Sequence, residues 1–510
     1  MSILDKASLI QIPSGYKSTK LYSLRPINGD GDFTFARSSS GTRVNSEGLI
    51  ETASVLGSEL VTNGDFEDGS TDWSLGNGWT IANGKLTANN AVGYALQGGV
   101  FESGVSKTYR INLSVSNYVS GYFTILTSGG TSESQQFNAN GNYTIDFNSN
   151  SPSGTTLHFT YFGSFTGSID NISVKEVISA TNTPRIDYST GEEAFLLEPQ
   201  STNLFPYSEF INDTSIFKNN ASVTDNYSIS PEGVQNAALV DFGAIGTNSF
   251  IGRSFSTTPF QYYTFTCYVK GNGTLRVYSD GNGTAGYFFT SKNLTLTSEW
   301  QRFEFSYQVA DGVNAVNIVI QRQTFDTTTQ FEIYGLQFEN QSYATSYIPT
   351  DGASATRNGE TCVDATPTIN SEEGVLYAEV AALANDGTNR AISISDGTTT
   401  NVVRFYYSTT DNRIVGNVKS GGSSVFNFNN VLSDATNFLK IAVSYKANDF
   451  KMYVNGTEVS TDTSGSAPVG LIEVAFDNGA GNDDFYGKVK GLQVFDKALS
   501  DYQLKQLTTI

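Results

Sequence analysis

The sequence predicts an all-β protein made of three tandem β-sandwich (jelly-roll) domains, and three observations carry that prediction. Apolar and polar residues alternate in many short runs, as half-buried strands require. Gly (49) and aromatics (13%) are abundant, while charged residues (16%) fall below the usual quarter. Helical periodicity is nearly absent outside the last dozen residues. A chain of 510 residues is long enough to bury several cores. Its 30 basic and 50 acidic residues give a net charge of −20, with no Lys/Arg run, which argues against nucleic-acid and anionic-membrane partners. No apolar run approaches a membrane-spanning length, and residues 1–6 lack a signal-peptide pattern. Cys267 and Cys362 fall in different predicted domains and read as free thiols.

In chain order, residues 1–58 form a segment too short for a core of its own. Its apolar run at 9–12 predicts a strand that docks either on a partner or on its own chain. Residues 59–178 read as the first jelly roll, with clear alternation at 109–115 and 143–147. Residues 179–206 are a connector. Residues 207–350 read as a second jelly roll and a divergent copy of the first. Asn203-Leu204 to Phe210 stands for Asn63 to Phe66, 262–269 for 108–115, 300–305 for 143–147, and 331–338 for the closing strand. Residues 351–510 form the third domain. There Asn455-Gly456 supplies positive-φ turn residues for a hairpin of 439–445 with 450–454. Ser500 and Gln503 form a capping box, with Leu499 and Leu504 as its hydrophobic staple, so one short helix closes the domain.

Resemblance adds to this reading. Phe33, Arg37, Arg43-Val44-Asn45 and Gly48-Leu49-Ile50-Glu51 form one half of a segment. Pro184-Arg185, Asp187-Tyr188, Leu196-Leu197-Glu198 and Thr202-Asn203-Leu204 form the other. Together they resemble one continuous segment of tailed-bacteriophage virion proteins, with a whole domain in place of the spacer. An insertion of that kind needs its two ends close together, so residues before Glu59 are expected near residues after Thr183. The first two sandwiches resemble carbohydrate-binding jelly rolls, and the third resembles concanavalin-like and laminin-G-like lectin domains. The resemblance implies a head or tail fibre or spike, assembled in the bacterial host cytoplasm. It would display lectin-like modules to host-surface or environmental glycans, attach to other virion proteins through its N-terminal segment and form a homo-oligomer, a trimer. A purely structural decoration or connector is the alternative, and a polysaccharide depolymerase is a lesser one.

Candidate sites follow from residue chemistry. Sugar rings stack on aromatic faces, which singles out Trp73, Trp79 and Tyr94 in a Gly/Asn-rich stretch, against the alternative that the tryptophans pack a core. Tyr406 and Tyr407 are neighbours on one strand, so one of them faces outward. Jelly rolls of the resembled kind often hold a structural Ca²⁺ between opening and closing strands. Asp65, Glu67 and Asp170 are the matching oxygen donors, with Glu209 and Glu332 as second-copy equivalents. Enzyme chemistry finds no support: His158 is the single histidine, and no nucleophile triad, zinc signature or phosphate loop occurs.

Overall fold

The computed structural model describes residues 3–13, 15–17, 19–127, 136–149, 154–243, 248–322 and 328–510, with only the backbone of 161–163. Its regular structure is almost entirely β. Among the described residues the single α-helix is Asp501–Thr508. Ser500 caps it, and the Ser500/Gln503 box closes as the sequence requires.

In the first sandwich one sheet folds over on itself. Strands Lys107–Thr127 and Leu157–Ser179 run through both layers. At one end they pair with each other and with Gly141–Ser149, Lys85–Ala91 and Val55–Glu59; at the other end Leu157–Ser179 pairs with Ala95–Gln97. The register slips between Ser116 and Ser120, beside the left-handed residues Asn117 (φ 53°) and Gly121 (φ 73°), which lets one long strand turn from one layer into the other.

The second sandwich repeats this pairing with each long strand cut in two. Tyr262–Gly271 and Gly273–Gly283 stand for Lys107–Thr127, and Ala315–Arg322 and Gln330–Glu339 stand for Leu157–Ser179, giving two separate five-stranded sheets. The cross-strand pair Ile111↔Val174 becomes Phe265↔Phe338, and Ile111↔Ile145 becomes Phe265↔Phe305. The copies also share an entry device. Glu59 Oε1 accepts from the backbone N–H groups of Val61 and Val174; Asn203 Oδ1 accepts from those of Phe205 and Phe338. Asn203 is therefore the counterpart of Glu59, and the expected match of Asn203 to Asn63 is four residues out at its start; Phe66 is buried, whereas Phe210 is exposed.

The third sandwich draws on three stretches of chain. Its larger sheet contains Glu373–Ala382, Leu439–Lys446, Phe450–Val454, Thr457–Asp462 and Gly487–Phe495. To the last of these it adds Ala7–Gln11 and Ala194–Leu197. The facing sheet is Ser423–Val431, Arg413–Ser420, Val402–Tyr407, Arg390–Ser395 and Glu473–Ala475. Leu9, Leu21, Phe33, Phe35, Phe195 and Leu197 share one core with Leu376, Ile441 and Val494. Of the two expectations for the run at 9–12, docking on its own chain is the one observed, while Leu4, Leu24 and Ile27 of the same segment remain exposed. The Asn455-Gly456 turn also differs from expectation. It joins Phe450–Val454 to Thr457–Asp462, one hairpin later.

The chain thus leaves this unit twice and returns twice. The ends of the first excursion meet as expected, with the Asn182 N–H donating to the Arg37 carbonyl at 2.7 Å. Where the crossings converge lies a buried ion network. Glu360 takes Arg37 at 2.6 Å and Arg185 at 2.5 Å, while Glu198 takes Arg185 at 2.7 Å and Arg357 at 3.0 Å. Their side chains are at most 4% exposed. Burial alone would raise the Glu198 carboxyl, but Arg357 and Arg185 hold it well below the usual carboxylate range. Such a network adds little net stability, yet removing one member strands a buried charge at about 3–5 kcal/mol.

Candidate functional site

The sequence-predicted aromatics divide by burial. Trp73 is 5% and Trp79 4% exposed, and both belong to the core. Trp73 stacks on Phe159 at 5.9 Å and donates Nε1–H to the Asn63 carbonyl; Trp79 packs on Phe165 and donates to the Gly93 carbonyl. With each indole N–H satisfied inside, neither ring is offered to a sugar. Tyr407 is also core, at 3% exposed. Tyr406 is the outward member of that pair, half-buried, with the Arg404 guanidinium over its ring. Tyr94 is exposed and meets His158 edge-on at 5.5 Å.

The predicted calcium donors do not converge. Asp65 and Glu67 are exposed, whereas Asp170 faces Lys85 at 3.7 Å. No group of three or more His, Cys, Asp or Glu side chains suited to a metal occurs among the described residues. Glu332 pairs with Lys270. Glu209 instead joins Glu232 around Asn236, whose Nδ2 donates to both carboxylates at 3.2 Å. Burial first, and then the neighbouring carboxylate, pushes Glu232 up to about 8; burial raises Glu209 as well. Cys267 and Cys362 are buried free thiols, as expected.

An aromatic face that sequence reasoning missed lies on the second sandwich. Along Gly273–Gly283, Leu275, Val277 and Ser279 point into the core, so Arg276, Tyr278 and Asp280 point outward. The neighbouring hairpin strand Gly286–Leu296 adds Tyr287 and Phe289 to the same side, 66% and 46% exposed. Tyr278 and Phe289 lie 5.4 Å apart, with the Arg276 guanidinium over both rings. Asp280 accepts from the Tyr287 hydroxyl and from Asn317 Nδ2, and Arg276 donates to Gln321.

Across the sheet, Phe217 and Phe250 form an edge-to-face pair. Gly252 makes room for it: a Cβ there would come within 2.5 Å of the Phe217 ring. The floor between the two aromatic pairs is Gly252 and Val319, both buried. Aromatic walls with polar groups between them can stack a sugar ring while reading its hydroxyls. The available signal was the alternation in 276–280 opposite 287–289, which marks a strand pair but not its outward side.

A second feature is a cleft of about 750 Å³ where the second sandwich meets the third. Arg43, Gly48, Asp187 and Tyr188 of the split segment line it, together with Tyr268, Arg302, Phe438 and Lys488. The split segment, legible in the sequence, therefore lines part of this cleft.

Residues 358–505 match the concanavalin A-like lectin/glucanases superfamily. No curated protein matches the chain. Among solved structures, tailspike protein 4 of bacteriophage CBA120 (its enzymatically active domain) is similar at 11% identity and TM-score 0.22, over 26% of this chain and 20% of that one. The tandem CBM22-1–CBM22-2 domains of Paenibacillus barcinonensis Xyn10C are similar at 12% identity and TM-score 0.22, over 57% of this chain and 99% of that one. Domains LG4-5 of the mouse laminin α1 chain are similar at 9% identity and TM-score 0.21, over 51% and 91%. At these scores none of the three describes the arrangement of the whole chain.

Proposed function

We propose that this chain is a non-enzymatic, glycan-binding component of a bacteriophage virion, a fibre or spike that adheres to host-surface or environmental glycans. The observation that carries glycan binding is the outward aromatic face of the second sandwich, where Tyr278, Phe289 and Arg276 stand beside Asp280 and Asn317. The lectin-superfamily match over residues 358–505 supports the same reading. The virion setting rests on the resemblance of the split segment, which also implies assembly in the host cytoplasm. Single sugar contacts are weak, because hydroxyls are as well satisfied by water as by protein. A homo-oligomer, a trimer, would raise avidity by roughly 10²–10⁴ through effective concentration. The N-terminal strand, being internal to the third sandwich, is not the attachment point in this proposal.

The test is a glycan array probed with the parent and with Phe289→Ala and Tyr278→Ala. Binding by the parent that falls at least tenfold in both variants, with unchanged melting, supports the proposal. A parent that binds no glycan points to a structural decoration protein.

A further inference from the structure

We infer that the cleft between the second and third sandwiches is a binding site for a carboxylate-bearing sugar residue, held by Arg302. The inference rests on the glycan-binding reading and names the class of glycan. Three cations line the cleft: Arg43, Arg302 and Lys488. Two of them are already neutralised. Arg43 pairs with Glu51 at 2.8 Å, and Lys488 faces Asp187 at 3.2 Å. Arg302 forms no ion pair among the described residues. Its Nη2 donates to the Thr345 carbonyl at 2.6 Å and to the Thr266 hydroxyl at 3.3 Å, and its buried Nε has no hydrogen-bond partner.

The nearby carboxylates are engaged elsewhere. Glu198 serves Arg185, Arg357 and Ser346. Glu339 serves Ser201, Gln337 and Thr345. Glu304 accepts from Ser306 and from the Ala344 N–H. They supply a field that keeps the guanidinium charged, and none of them forms an ion pair with it among the described residues.

With Nη2 engaged by Thr345 and Thr266 and Nε buried, Nη1 is the donor left for a ligand, and a charge-assisted hydrogen bond from a guanidinium to a carboxylate is short and strong. The guanidinium lies over the Tyr268 ring at 5.6 Å, which fixes its plane. Tyr188 and Phe438, both half-buried, add apolar surface for a pyranose face. The cleft volume of about 750 Å³ lies within the range of saccharide-sized pockets. Sugar carboxylates occur in uronic and sialic acids, and that shared chemistry is the ligand assigned here.

The experiment titrates the full chain with a panel of uronate- and sialate-containing oligosaccharides, each beside its carboxyl-reduced counterpart, and reads binding by calorimetry. The expected result is at least one acidic oligosaccharide bound tenfold or more tighter than its reduced form. That preference should disappear in Arg302→Gln, shrink in Arg302→Lys, which keeps the charge but not the Nη1 donor at its position, and survive in Phe289→Ala. Tyr188→Ala, at the cleft wall and away from the Arg302 hydrogen bonds, should weaken acidic ligands even if Arg302→Gln fails to fold. Equal affinity for acidic and reduced forms across the panel, or full retention of the preference in Arg302→Lys and Tyr188→Ala, overturns the assignment. If acidic and reduced oligosaccharides bind equally and both lose affinity in Phe289→Ala, the glycan-binding reading stands while the acidic site falls. If nothing binds, both fall.

Discussion

The first and second sandwiches pair their strands in the same order and fill their cores with aromatics, but they differ in the aromatics left outside. In the first, Trp73, Trp79, Phe123 and Phe159 all point inward, and the outer face of the sheet carries Tyr94 beside His158. In the second, Phe265, Phe305 and Phe338 fill the core, while Tyr278, Tyr287 and Phe289 stand outside. The difference shows that topology alone does not make an exposed aromatic face. What makes one is the surplus of aromatics after the core is full, on a hairpin long enough to extend past it. The second copy has that hairpin in Gly273–Gly283 with Gly286–Leu296. In the first copy the matching contact among the described residues is the single bridge Phe123↔Phe137.

The comparison can be broken most severely by excising each sandwich. Joining Ala53 to Ala180 removes the first and keeps the whole Arg37–Arg185–Glu198–Arg357–Glu360 network. Joining Gln200 to Arg357 removes the second, and with it Ser346, which bonds Arg185, Glu198 and Arg357. It also removes the Tyr347 carbonyl that accepts from Thr42. The first deletion should remain soluble with a β-type circular dichroism spectrum, and the second should aggregate. Aggregation of the first would remove the insertion argument.

Next in size, Trp79→Ala should destabilise the first sandwich by about 3–5 kcal/mol, as large-to-small changes of buried aromatics do, and leave glycan affinity unchanged. Phe289→Ala should do the reverse. Denaturant unfolding with parallel binding measurements checks both. The entry device sharpens the comparison further. Asn203 is fully buried and its Nδ2 also donates to the Leu336 and Ile348 carbonyls, so Asn203→Ala leaves several buried groups unpaired and should destabilise by about 3 kcal/mol. Glu59 is exposed, and Glu59→Ala should lower stability by about 1 kcal/mol. Equal losses in urea titration would mean that the two copies are not held in the same way.

The smallest effect is one of pH. Glu232 titrates at about 8, raised by burial and by Glu209. The folded state therefore holds a proton that the unfolded chain releases near the ordinary carboxylate value, and stability present at acid pH is lost as pH rises toward 8. Melting temperature should fall between pH 5 and pH 8.5, and Glu232→Gln should flatten that fall. A parent profile already flat over this interval defeats the expectation.

Much of the fold was legible because it is local. Alternation located the strands at 109–115 and 262–269, and residues 500–504 announced the helix start. The split segment even indicated which distant residues meet. What failed depended on remote partners. Leu9 and Ile10 looked like an unpaired arm because their partner strand is Gly487–Phe495, at the far end of the sequence. Trp73 read as a loop aromatic because burial against Phe159 is invisible in a Gly/Asn-rich neighbourhood. The outward side of 276–280 was hidden for a related reason: inward and outward are assigned by the layer a strand joins, and alternation is the same either way.

The pairing of Leu9 with Val494 has a consequence for synthesis. A chain emerging from the ribosome finishes each inserted sandwich from contiguous residues, so both can collapse as soon as they are made. The strand Ala7–Gln11 has no such option. Its partner strand, Gly487–Phe495, follows both inserted sandwiches in the chain, so the apolar side chains of Ala7–Gln11 wait while those are made. Contacts of such sequence separation form slowly, and exposed strand edges invite association meanwhile. The rate at which this protein matures should therefore be governed by closure of the third sandwich, and a misassembled product should be one in which two chains exchange that first strand.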